Sequence, residues 1–89
     1  MTANETEYSI AGLSFPAIYG ERSGCGFVAF PSWGVAAELS EHDTAYNTRK
    51  IFEALQRSTG RAWLPESDEA VKTIARELAE LLTQDIQEL

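Results

Sequence analysis

Phe15-Pro16-Ala17-Ile18-Tyr19-Gly20 and Gly26-Phe27-Val28-Ala29-Phe30-Pro31 are the two stretches that decide the fold of this chain. They flank a polar break, Glu21-Arg22-Ser23-Gly24-Cys25. Aromatic and β-branched residues suit a pleated, half-buried surface, so the two runs read as a hairpin. Each run carries one Phe-Pro pair. Proline has no amide hydrogen to give to a ladder, which places Pro16 and Pro31 at strand ends, bulges or an edge.

Upstream, Tyr8 to Tyr19 reads as one long strand. Tyr8 and Ile10 share one face, and Leu13, Phe15, Ala17 and Tyr19 share the next. The phase slips by one residue at Ala11-Gly12, which predicts a β-bulge there. Met1 to Glu7 is polar and is expected to be a flexible end. Downstream, Ser32-Trp33-Gly34 breaks the second strand, and Val35 to Leu39 reads as a short third one.

Two helices follow. Ser40 or Asp43-Thr44 offers an N-cap, because such side-chain oxygens accept hydrogen bonds from first-turn amides. Ala45, Thr48, Ile51, Phe52 and Leu55 form a helical stripe, and Gly60 stands where a helix C-terminal glycine belongs. Arg61 to Pro65 is an extended connector. Ser67 caps the second helix, with Asp68 and Glu69 in its first turn. Val71, Ile74, Ala75, Leu78, Leu81, Leu82, Ile86 and Leu89 recur at the 3.6-residue period. The predicted fold is therefore α+β: a two- or three-stranded antiparallel sheet, then two helices, the last long and amphipathic. Residues 8–89 make a single domain. A helix of about 22 residues spans ~33 Å. That length allows Leu78, Leu82 and Ile86 to run past the core and serve a homodimer.

The 89 residues carry fourteen acids against seven bases, a net charge of −7. Phosphate backbones demand basic surfaces, so direct nucleic-acid binding is disfavoured. An acidic protein instead suits the basic, nucleic-acid-binding face of another protein. No stretch approaches the ~20 apolar residues of a membrane span. One cysteine forms no internal disulfide, which fits a reducing cytoplasm.

Residues able to do chemistry are few. His42 lies in Ser40-Glu41-His42-Asp43, but sequence neighbours at a helix start do not assemble a catalytic triad. Cys25 has no evident base to activate it. One cysteine and one histidine do not close a zinc site, and no phosphate-loop motif follows the glycines. The expectation is a non-enzyme with no cofactor and no metal. Partner contacts are expected from acids clustered in two places. Glu66, Asp68, Glu69, Glu77 and Glu80 form one group, and Glu38, Glu41 and Asp43 the other. Trp33 and Trp63 would supply an apolar centre.

The motif order resembles HicB-type antitoxins. Phe15-Pro16-Ala17 is followed by Gly26-Phe27-Val28-Ala29-Phe30-Pro31, then Asp43-Thr44, Glu53-Ala54-Leu55 and Leu64-Pro65-Glu66-Ser67. The likeness covers residues 8–67. It departs at Ser32-Trp33-Gly34, where the family has a Pro-Gly-Cys turn, and after the connector, where an acidic helix replaces a strand. The resemblance implies an inhibitor that covers a small basic RNA-cleaving toxin. The charge equally suits a phage-encoded inhibitor of a defence effector, of anti-CRISPR type. A structural module assembling through its last helix is the third expectation.

Overall fold

A computed structural model describes residues 2–89. Strands β1 (Thr2–Ile10), β2 (Leu13–Arg22), β3 (Cys25–Phe30) and β4 (Val35–Leu39) form one antiparallel sheet in the order β1-β2-β3-β4. Helices α1 (Thr44–Gln56) and α2 (Asp68–Gln87) follow. The class is α+β, with four strands rather than two or three.

The extra strand comes from Ala11-Gly12, which is a chain reversal and not a bulge. Ala11 has φ 54° and Gly12 φ 79°, both left-handed, as a two-residue hairpin turn of type I′ requires. Ser23 and Gly24 repeat the pattern with φ 55° and 81°, and the Glu21 carboxylate accepts the Gly24 N–H at 2.8 Å. Reversal at Ala11-Gly12 lays the polar residues 2–7 along β2, from Thr2 opposite Glu21 to Glu7 opposite Pro16. The N-terminal segment is thus a ladder strand where composition predicts a flexible end. Met1 lies outside the described residues.

Both prolines fall where β2 and β3 part. The last ladder pair at that end is Ile18 opposite Ala29, so Pro16 and Pro31 lie just beyond it. Pro31 opens a 3-10 turn, Pro31–Trp33, that leads into β4.

The helices cover one face of the sheet. Tyr8, Ile10, Phe15, Ala17, Val28, Phe30 and Leu39 point into the core with Ile51, Leu55, Val71, Ile74, Leu78, Leu82 and Ile86. Asp43 caps α1, its Oδ1 accepting the Tyr46 N–H at 2.9 Å. The buried side of α1 is Asn47, Ile51, Ala54 and Leu55, while Ala45 is exposed. That face is rotated from the predicted stripe because Asn47 carries structure. Its Nδ2 donates to Thr83 Oγ1 at 2.9 Å and to Ser40 O at 2.8 Å, and its Oδ1 accepts from Ser40 N at 2.7 Å. One fully buried amide therefore ties the β4–α1 loop to α2.

Gly60 is not the cap of α1, which ends at Gln56. A Cβ there would stand 2.5 Å from Trp33 Cε3, so the glycine exists to let the indole lie against the backbone. Ser67 caps α2 as expected, its hydroxyl accepting the Ala70 N–H at 3.4 Å. α2 runs twenty residues, about 30 Å, inside a molecule whose longest dimension is 35 Å. Its apolar stripe does not outrun the core. Leu78 and Leu82 are fully buried and Ile86 is buried; only Leu81 and Leu89 are exposed. The expected dimerisation residues are thus core residues of this chain, covered by α1 and by the sheet.

Candidate partner-binding surface

Strand alternation leaves the other face of the sheet open. Gly26 shows which side is which: a Cβ there would meet Ile86 Cδ1 at 3.1 Å, so its side points to α2 and its neighbour Phe27 points away. Register then assigns the outward residues. One row across all four strands is Glu5, Ile18, Ala29 and Ala36. The next is Ala3, Gly20, Phe27 and Glu38, and on the other side Glu7 stands opposite Pro16.

The pattern is an apolar centre between acidic edges. Pro16, Ile18, Phe27 and Ala29 are half-buried by their own sheet neighbours, and Ala36 is exposed. Glu5 and Glu7 line the β1 edge and Glu38 the β4 edge, all exposed. Among the described residues, Arg22, beside the β2–β3 turn, is the one cation that shares this face. Shallow depressions of about 230 Å³ and 250 Å³ lie on it, the first between Glu5, Pro16, Ile18 and Pro31, the second between Phe27, Ala29, Ala36 and Glu38.

The residues expected from sequence to meet a partner are distributed over several surfaces. Glu38 lies on the open face. Asp43 is occupied as the α1 cap, and Glu41 stands 3.9 Å from the exposed His42 ring. Glu66, Asp68, Glu69, Glu77 and Glu80 are exposed in the opposite layer, on and before α2, with Lys72 and Arg76 interleaved among them. Asp68 accepts a hydrogen bond from Gln56. No flat partner surface meets both layers at once.

The two tryptophans part company. Trp33 is buried, stacks on Phe15 at 4.7 Å between ring centroids, and donates Nε1–H to Ser14 O at 3.1 Å. It plugs the core and is withdrawn from any interface. Trp63 is 77 % exposed, on a 3-10 turn Arg61–Trp63 in the connector.

Ile18, Phe27, Ala29 and Ala36 were missed because alternation alone does not say which face is covered. A signal was present. β2 and β3 are apolar in both phases, with Phe15 and Ala17 alternating with Pro16 and Ile18, and Val28 and Phe30 with Phe27 and Ala29. An antiparallel strand with one wet face should alternate apolar and polar.

Among the described residues, no three of the His, Cys, Asp and Glu side chains gather as a metal site, and no helix is long and apolar enough to cross a membrane. Cys25 is a free, exposed thiol at the start of β3. The Tyr8 phenol is strongly perturbed. Burial, then its 2.5 Å hydrogen bond to Asp85 and the charge there, push its pKa well above the ordinary range. It is a structural tie between β1 and α2. Comparisons with protein-family models, with curated proteins and with solved structures returned no match to this chain.

Proposed function

We propose that this protein is a small, acidic, non-catalytic inhibitor that occludes a basic, nucleic-acid-handling protein through the open face of its sheet. The observation that carries this reading is an apolar centre of Ile18, Phe27, Ala29 and Ala36 between the carboxylates of Glu5, Glu7 and Glu38. Interfaces commonly combine a dry apolar centre, which holds the complex, with a charged rim, which steers encounter. A net charge of −7 adds long-range attraction toward a basic target.

The likeness to HicB-type antitoxins over residues 8–67 makes a small RNA-cleaving toxin the first target. A phage-defence effector with a basic nucleic-acid channel is the second. The exposed, free Cys25 suits a cytoplasmic site of action. An assembly module built on the last helix is disfavoured, because Leu78, Leu82 and Ile86 are buried in the chain's own core.

The test is affinity capture from the encoding organism, followed by kinetics with the purified partner. Ile18→Asp and Phe27→Asp place a charge on the outward face without touching the core. Both variants should stay folded and lose the complex, and association of the wild type should slow as salt rises. A partner with an acidic contact surface, or folded variants that bind as well as the wild type, would overturn the reading.

A further inference from the structure

We propose that the outer edge of β1 is a strand-docking site. A segment of the partner bearing lysine or arginine at alternate positions adds to the sheet there as a fifth strand. The proposal rests on the reading that the partner is basic, and names how it is held.

A two-residue hairpin turn closes on a hydrogen-bonded pair, here Ile10 and Leu13. Antiparallel alternation then turns the backbone groups of Ile10, Tyr8, Thr6 and Asn4 toward β2. Those of Ser9, Glu7, Glu5 and Ala3 turn outward. An independent observation agrees with that phase: Glu7 stands opposite Pro16, which has no N–H to give. Among the described residues, no backbone hydrogen bond outside the β1–β2 ladder reaches these four outward residues.

The strand is nine residues long, and no other strand flanks it on that side. Edge strands of this length are usually blunted by lysine, proline or a bulge. From Thr2 to Ile10 there is no lysine and no proline, and the pairing with β2 is unbroken. The charges that remain are Glu5 and Glu7, both directed to the open face. They decide the occupant. A second copy laid along this edge would bring like carboxylates beside one another, and like charges across adjacent strands are destabilising. A strand with lysine or arginine in the same phase places a cation beside each glutamate. Main-chain hydrogen bonds would then supply affinity, and the alternate side chains specificity. The docked strand also continues the row that runs through Ile18, Ala29 and Ala36, so edge and face form one surface.

The experiment uses the full chain and a short synthetic peptide alternating lysine and valine, at millimolar concentration. Residue-resolved amide hydrogen exchange is the readout. Exchange should slow at Ala3, Glu5, Glu7 and Ser9, while the amides already paired to β2 stay as they are. A peptide with glutamate in place of lysine should leave the exchange of all these amides unchanged. Ser9→Pro removes one outward N–H, leaves charge and ladder intact, and should lose the effect; Ser9→Ala should keep it. Should Ser9→Pro not fold, the exchange pattern of the wild type decides. If the lysine peptide shifts Ile18, Phe27 and Ala36 without slowing the four outward amides, edge docking is overturned and the basic-partner reading stands. Equal binding of the glutamate peptide, or no binding of the lysine peptide, overturns the inference. In the first of these cases the electrostatic reading falls with it.

Discussion

Ala11 holds a left-handed conformation, φ 54°, that its Cβ disfavours. The strain is on the order of 1 kcal/mol for an L-residue with a side chain. Asparagine tolerates this region and is favoured in such turns. Ala11→Asn should therefore stabilise the protein by about 0.5–1 kcal/mol, read as a higher denaturant midpoint at unchanged slope. A fall in midpoint would mean that the turn is not the reversal described. Tyr8 offers a second test. Its raised pKa means that the folded phenol keeps its proton where the unfolded one loses it. The unfolded state then binds fewer protons, so this contribution is intact below pH ~10 and is lost as pH rises beyond it. Tyr8→Phe should cost about 1 kcal/mol at neutral pH by removing the bond to Asp85. It should also flatten the alkaline limb of the stability curve. An unchanged limb would assign the alkaline loss to other groups.

At the scale of elements, legibility followed how many levels of pattern agreed. α2 was readable because its period, its Ser67 cap and its Asp68-Glu69 first turn all point the same way. The end of α1 was not, because Gly60 serves the packing of Trp33, a contact between distant parts of the chain. β1 escaped as a separate strand for two reasons. Few of its residues are apolar, as befits an edge strand, and the turn that creates it lacks the Asn-Gly or Asp-Gly signature. The candidate surface was legible in its charge but not in its place, because counting carboxylates does not reveal which layer they occupy. The dimer expected from α2 becomes a sharper prediction once that layer is known. Leu82→Asp buries an unpaired carboxylate between α2 and the sheet. It should cost on the order of 4 kcal/mol or more, enough to unfold so small a domain. Sedimentation with circular dichroism should find an unfolded monomer. A folded monomer arising from a wild-type dimer would instead restore the helix to an interface.

At the scale of the whole molecule, the charge is both excessive and largely uncompensated. Among the described residues, the only acid–base contact within 4.0 Å is the weak one between Glu41 and His42. No lysine or arginine is held by a carboxylate at that distance. Salt therefore has little attraction to screen inside the molecule and a net charge of −7 to screen around it. At physiological ionic strength the screening length is about 8 Å, shorter than the 11.9 Å radius of gyration. Self-repulsion across the molecule should be relieved over the range from low to physiological salt. The melting temperature of the free protein should rise over that range and then level off. A fall would mean that favourable charge pairs outweigh the repulsion. The same titration should act in the opposite sense on the complex, since screening weakens the steering of an acidic face toward a basic one. Fold stability rising while association slows, in one salt series, assigns the first effect to the net charge and the second to Glu5, Glu7 and Glu38 at the open face. Replacing those three with glutamine should abolish most of the salt dependence of association. It should leave a smaller rise in melting temperature, since four of the seven excess charges remain.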